Sequence, residues 1–374
     1  MKKILHSTMK ENNYLLILRT IFHEGTIERV SLVKKTLLSP STVTRCITDL
    51  NNAGYILEIG PAEQEGNGKL GRKAISLKIN PRSFQVLVVD IGAVRTNYAI
   101  GNADGTLEKL ESSSTPDTFE EILEEVNDIL QNYKDVEVVA FSVPGMVDVE
   151  NDTILFVPSK GWKNIKINVE GKVVYADNEA NLAMIAEAFQ REEVRKSKCS
   201  VFVTVREGFG TGLWINGELF RGPSFSAGEF GHTILNMQSS NLCRCGNYGC
   251  LETYTSISRV FGKGLKDAQS HLNKLFRKKA AEFLEYIETL SVALTNIVNA
   301  INPEYLILGG ELSGLDVEFY ELLEKKIKGR ALENSGKILK VLPPTFTHDT
   351  YLYGALYAVI EEYFIPNVIS KVAR

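Results

Sequence analysis

Residues 39–54 read Ser-Pro-Ser-Thr-Val-Thr-Arg-Cys-Ile-Thr-Asp-Leu-Asn-Asn-Ala-Gly. They carry every local signal of a short helix. Ser39 is a good N-cap, Pro40 suits the first helical position, and Gly54 stands just past the end. Val43, Cys46, Ile47 and Leu50 recur at i, i+3, i+4 and i+7, which buries one face. Ser41, Thr42, Thr44, Arg45 and Thr48 are left on the other. Upstream, Tyr14, Leu15, Leu18, Ile21 and Phe22 share one face of a helix over residues 12–23. A second short helix is predicted after Thr26 as its N-cap, with Ile27, Val30 and Val33 inward. Downstream, residues 55–59 and 74–79 read as strands joined by the turn-rich PAEQEGNGKLGRK of residues 61–73. Three short helices and a hairpin predict a winged helix-turn-helix over residues 1–80. In such a unit the third helix enters the major groove and its first residues meet base edges and phosphates. Ser41, Thr42, Thr44, Arg45 and Thr48 are therefore the expected DNA-binding face: short hydroxyls for phosphates and one Arg that can grip guanine. Gly71-Arg72-Lys73 adds a basic finger suited to a narrow minor groove.

Charge agrees with that division. Residues 1–80 hold twelve Lys/Arg against seven Asp/Glu, a net of +5, while the remainder holds 30 against 39, a net of −9. A basic end on an acidic body is the balance of a nucleic-acid-binding arm. With 44% hydrophobic and 24% charged residues the composition is that of a globular protein. No apolar run approaches the roughly 20 residues a membrane span requires, and the first residues make a poor signal peptide. The protein reads as cytoplasmic, with no membrane partner.

Beyond Pro81 the pattern changes. QVLVVDIG (85–92) is a strongly apolar strand, residues 97–101 continue as another, and 119–133 form an amphipathic helix. A buried strand is predicted over 136–143, another over 173–176, and a helix from about Asn178 to Arg191. Strands at 200–205 and 212–215 flank a glycine cluster. A long helix over 280–300, a strand at 305–308 and a last helix near 353–364 complete an α/β body. No internal repeat is visible.

Cysteines crowd in one place: Cys243, Cys245 and Cys250 fall within eight residues, with His232 a little upstream. One His and three Cys make a closed four-ligand set for zinc, with no position left open for catalysis, so a structural ion is expected. Nearby, Asp177-Asn178-Glu179, Gly228-Glu229-Phe230-Gly231-His232 and Leu251-Glu252 place carboxylates, an amide and an imidazole beside glycines. Such groups suit sugar hydroxyls.

In order, DIGAVRTNYAIGNADG, FSVPGMVD, ADNEAN, EGFGTGLWINGELFRG, SAGEFGH, CRCGNYGCLE and INPEYLILGG resemble the ROK family, which groups bacterial sugar kinases with sugar-responsive repressors. The resemblance implies a two-lobed, actin-like (ribonuclease H-like) sugar-kinase fold behind the winged helix. It implies a first lobe over 81–195, to which a helix in 350–374 returns, and a second over 196–349 with the zinc loop and dimerisation helices. Sugar contacts then fall to Asn178, Glu179, Glu229, His232 and Glu252, and zinc to His232, Cys243, Cys245 and Cys250.

Departures from the kinase pattern point toward regulation. Asp90-Ile91-Gly92 is followed by Ala93 and Val94 where the kinases have Gly and Thr to cradle phosphate. Gly208-Phe209-Gly210 puts a large ring in the second phosphate loop. Glu179 stands where the kinases carry their catalytic Asp, and a carboxylate displaced by about 1 Å can cost 10²-fold. The sequence most resembles the family's xylose-type repressors, which implies a sugar-responsive repressor without enzyme activity. Its expected partners are an inverted-repeat operator, a monosaccharide effector and a second copy of itself, with a dimer of dimers also open. The competing readings are an ATP-dependent sugar kinase with a DNA-binding arm, and a cleft for a disaccharide or phosphosugar.

Overall fold

The computed structural model describes residues 9–60, 75–262 and 267–373. The chain begins with α1 (Met9–Glu24), a two-residue strand β1 (Ile27–Glu28), α2 (Arg29–Thr36) and α3 (Pro40–Asn52). Strands β2 (Ile56–Ile59) and β3 (Ser76–Ile79) follow, forming with β1 an antiparallel sheet of order β1-β3-β2. The second helix differs from expectation. Thr26 does not cap it; Ile27 and Glu28 pair with Leu77 and Ser76, and the helix starts at Arg29 without a side-chain cap. Shifting the start rotates the face, so Leu32 is buried and Val30 is 62% exposed.

The body opens with β4 (Gln85–Ile91), β5 (Arg95–Asn102), β6 (Leu107–Lys109), β7 (Ser113–Ser114) and α4 (Phe119–Asn132). A capping box on Thr118 and Glu121 starts α4. Next come β8 (Val136–Val143), a small sheet of β9 (Met146–Asp148), β10 (Thr153–Val157) and β11 (Trp162–Lys166), then β12 (Val173–Asn178), α5 (Glu179–Gln190) and α6 (Glu192–Arg195). The small sheet was not foreseen from sequence. Then follow β13 (Cys199–Val205), β14 (Phe209–Ile215), β15 (Glu218–Leu219), α7 (Glu252–Thr255), α8 (Ile257–Val260), α9 (Ala268–Arg277) and α10 (Ala281–Ile301). The chain ends with β16 (Tyr305–Gly310), α11 (Val317–Lys328), α12 (Glu333–Ile338), β17 (Lys340–Leu342) and α13 (Thr350–Val359), a π-helical turn (Ile360–Phe364) and α14 (Ile365–Val372).

Two sheets of the same build emerge. In one, β4 pairs antiparallel with β5 and parallel with β8, and β8 pairs parallel with β12. In the other, β13 pairs antiparallel with β14 and parallel with β16, and β16 pairs parallel with β17. That repetition is of topology alone.

Helices α5 and α13 lie between the sheets and pack on each other. Gly354 of α13 makes this possible: a Cβ there would stand 2.0 Å from the Leu182 carbonyl oxygen. Although its sequence adjoins the first sheet, α5 serves both. Leu182 and Ala186 join the core around α13 and the winged helix, whereas Ala183, Met184 and Ala188 pack with Phe202 and Ile307 of the second sheet.

The winged unit is seated on this body by a continuous apolar core. Phe22 of α1 meets Phe189 at the end of α5 edge-on, ring centroids 5.0 Å apart, and Phe189 stacks on Tyr357 of α13 at 4.4 Å. Arg19 pairs with Glu361 at 2.7 Å, and Tyr55 meets Phe364.

Candidate functional site

The surface expected to face DNA follows from helical geometry. Val43, Cys46, Ile47 and Leu50 are fully buried, while Ser41, Thr44, Arg45 and Thr48 are exposed and Thr42 half-buried. Ser39 Oγ accepts from the Thr42 N–H at 3.1 Å and lies 2.9 Å from the hydroxyls of Ser41 and Thr42. These hydroxyls gather at the helix start, where unpaired N–H groups favour an anion such as phosphate. Tyr14 donates to Asp49, which ties α1 to α3. Arg72 and Lys73 lie outside the described residues.

The expected sugar residues form two groups. The first is built at the join of β12 and α5. Asn178 is the N-cap: its Oδ1 accepts from the N–H groups of Ala180 (2.8 Å) and Asn181 (3.3 Å), and its Nδ2 donates to the Gly145 carbonyl at 2.9 Å. The neighbouring Asp177 is buried and receives Arg221 at 2.7 Å. Glu179 Oε2 accepts from Arg206 Nη1 at 2.8 Å. Burial pushes the Glu179 carboxyl above its ordinary pKa, while Arg206 pulls it down and Asp90 pushes it up.

The second group lies between β15 and the start of α7, with Glu252 opening that helix. Glu252 Oε2 accepts from the Phe209 N–H at 3.2 Å. His232 Nε2 lies 3.7 Å from Glu229 Oε2. Burial raises the Glu229 pKa, with His232 opposing and Glu252 adding to the rise. The two groups approach through the Gly208–Gly210 segment: a Cβ on Gly208 would meet Glu252 Oε2 at 2.8 Å, and one on Gly210 would meet Ala180 at 3.3 Å. Asn178 and Glu179 make no direct hydrogen bond to Glu229, His232 or Glu252 among the described residues.

One expectation is corrected. The Phe209 ring does not occupy the phosphate loop; it is 4% exposed and packs in the core with Val205 and Leu251. An apolar ring gains more from that core than from a polar cleft. Arg206, unremarked in the sequence, instead fills the space beside Glu179. Only a cation close to Asp90-Ile91-Gly92 in three dimensions could have flagged it.

His232, Cys243, Cys245 and Cys250 converge, their ligand atoms all within 4.8 Å of one another. Cys245 Sγ–Cys250 Sγ is 3.7 Å and Cys243 Sγ–His232 Nδ1 is 3.5 Å. A tetrahedron with Zn–S of about 2.3 Å and Zn–N of about 2.0 Å has edges of roughly 3.5–3.8 Å. The donor set can thus hold a metal ion. With Nδ1 toward the cysteines, Nε2 is turned to Glu229.

Beside Arg206 lies a cleft of about 310 Å3, lined also by Gln269, Gly310, Glu311, Thr347 and Tyr351. No described helix is long and apolar enough to cross a membrane.

Comparison with known proteins follows the same division. A Mga helix-turn-helix domain matches residues 1–67. A xylose repressor of Caldicellulosiruptor bescii is 27% identical, covering 96% of this chain and 97% of its own. The xylose repressor of Bacillus subtilis is 25% identical over 95% and 96%, and the Escherichia coli regulator NagC 25% over 97% and 95%. Among solved structures, a ROK family transcriptional regulator described as a homolog of E. coli MLC superposes with TM-score 0.75 at 23% identity, over 97% of this chain and 98% of that one. A Streptomyces griseus ROK glucokinase superposes with TM-score 0.63 at 22% identity, over 73% of this chain and 98% of its own. The ROK family profile spans residues 86–362, and with the kinase-like body behind a helix-turn-helix, the chain belongs to the ROK family.

Proposed function

We propose that this protein is a sugar-responsive transcriptional repressor that binds operator DNA as a dimer through α3 and a monosaccharide between its lobes. The observation that carries the reading is the placement of α5. Asn178 and Glu179 begin it, and Phe189 near its end touches α1 of the winged unit. Twelve residues of helix span about 18 Å. A ligand shifts a conformational equilibrium only by its differential affinity for the two states. A sugar that meets Asn178 and Glu179 on one side and Glu229, His232 and Glu252 on the other prefers the closed lobes, and α5 carries that preference to the DNA-reading unit. The two copies of α3 would then be re-spaced against an inverted repeat.

Zinc held by His232, Cys243, Cys245 and Cys250 would serve structurally. It would set the His232 ring so that Nε2 and the adjoining Glu252 are oriented toward the sugar. Metal analysis of the purified protein is expected to return one zinc per chain; none, with Cys243→Ser leaving sugar binding intact, removes the assignment. Arg45, if it reads a base, is expected to lose about 1–3 kcal/mol of operator affinity as Arg45→Ala.

A second reading, an ATP-dependent kinase with a DNA-binding arm, is favoured only by the cleft beside Arg206. Against it stand Ala93, Val94 and the substitution of Glu179 for the catalytic Asp. Turnover of ATP with D-xylose or D-glucose at roughly 1–100 s⁻¹ would establish the kinase instead. The deciding experiment is titration of operator DNA with and without D-xylose, D-glucose or N-acetyl-D-glucosamine, repeated with Glu252→Ala. The expected change is about 5–150-fold, abolished by the substitution. Unchanged DNA affinity at saturating sugar overturns the reading.

A further inference from the structure

A sugar ligand at Glu179 does not account for the cation beside it. Arg206 follows β13, and three remote elements converge on its guanidinium. Its Nη1 donates to Glu179 Oε2 at 2.8 Å from the start of α5. Its Nη2 lies 3.8 Å from Asp90 Oδ2 on β4. Its central carbon sits 4.5 Å from the ring centroid of Tyr351 on α13. Asp90 is itself held in place, accepting from Ser142 at 3.0 Å and Asn97 at 3.3 Å. No hydrogen bond to Glu179 Oε1 is found among the described residues. Arg206 also lines a cleft together with Glu311 and Gln269.

Two carboxylates sunk in the same place are costly to ionise together unless a cation compensates both. Asp90 is buried and the Glu179 side chain is 13% exposed. A planar guanidinium suits the task, since it stays charged, donates along fixed directions and stacks on an aromatic face. Without it, one carboxylate takes up a proton. A neutral Glu179 is a weaker acceptor, because hydrogen bonds to ionised groups are the stronger ones.

We propose that Arg206 is a positioning residue of the sugar site. It compensates the Glu179 carboxylate and keeps it aimed at a sugar hydroxyl. The inference rests on the reading that the interlobe cleft binds a monosaccharide.

The test is calorimetry of the full-length protein with D-xylose, D-glucose and N-acetyl-D-glucosamine, together with thermal unfolding. Arg206→Met is expected to weaken the sugar that binds the wild type by about ten- to hundredfold. Arg206→Lys, which keeps the charge, is expected to stay within about tenfold. In unfolding, Arg206→Met lowers Tm and Arg206→Met/Glu179→Gln regains part of it, because the second change removes the uncompensated carboxylate. Sugar affinity unaltered in Arg206→Met, or no recovery of Tm in the double variant, overturns the proposal. If Arg206→Met does not fold, Arg206→Lys decides: a loss as large as that of Glu179→Ala shows that the charge is not what matters. A wild type that binds none of the three sugars overturns the sensor reading instead. The unfolding cycle then still decides whether Arg206 compensates Glu179.

Discussion

The outer face of α3 and the Arg206 cluster are candidate sites built in two unlike ways. In α3 the cap, the buried stripe and the exposed hydroxyls lie within sixteen consecutive residues, and helical period alone turns Ser41, Thr44, Arg45 and Thr48 outward. In the cluster, Asp90, Glu179 and Tyr351 arrive from three elements and Arg206 from the turn after β13, across most of the chain. None of them has a local reason for its position. A surface written in periodicity needs only its own helix to persist, whereas a buried charged cluster exists only while the packing around it holds.

The largest expected effect separates the two directly. Gly354→Val sets a side chain against the Leu182 backbone, where a Cβ already falls 2.0 Å from the carbonyl oxygen. Pushing α13 off α5 should cost about 3 kcal/mol, the upper end of ordinary overpacking. Calorimetric unfolding with a sugar titration checks this. A variant with wild-type Tm and sugar affinity would show that the close helix contact is not what holds the cluster together.

Ser39→Ala acts on the local side of the comparison. Removing the oxygen that accepts from Thr42 N–H should cost about 1 kcal/mol in stability. It should weaken DNA binding while leaving sugar binding unchanged. A loss of sugar affinity as well would break the comparison by tying α3 to the cleft more tightly than its contacts suggest.

A pH-dependent effect sharpens the joint between the regions. The ring of His23 on α1 lies tilted against Phe189 with centroids 4.5 Å apart, and its Nδ1 lies 3.3 Å from Arg195. Burial, then the charges of Arg195 and Arg19, lower its pKa to about 4. The imidazole is therefore neutral when docked and takes up a proton at the ordinary value near 6.5 when released. The unfolded state binds more protons, so this contribution is complete above pH 6.5 and lost as pH falls toward 4. Unfolding of wild type and His23→Gln at pH 7.5 and pH 5 should show the wild type losing more on acidification. Equal losses would place the acid sensitivity elsewhere.

Much of this was legible in residue order. The α3 stripe, the strand QVLVVDIG and the metal tetrad declare themselves by spacing, because helix period, apolar runs and ligand sets act over short distances. The start of α2 was misread because Ile27 pairs with Leu77, fifty positions away, and strand pairing overrides a plausible Thr cap. Gly208-Phe209-Gly210 reads as a phosphate loop carrying a ring, because the family has Gly-Thr-Gly there, yet the core takes the ring. The small sheet of β9, β10 and β11 escaped notice because short, half-polar strands gain their identity from one another.

The order of residues by itself determined the winged helix-turn-helix, the α/β character of the body, the cysteine–histidine set and the family. Each rests on interactions between near neighbours or on motifs of fixed spacing. The tertiary structure alone decided that α5 serves both sheets and reaches the winged unit, and that two sheets repeat one topology. It alone placed Arg206 between Asp90 and Glu179. Those outcomes depend on which distant surfaces bury each other, and on the cost of leaving a buried charge without its counter-ion, and neither is written at any single position.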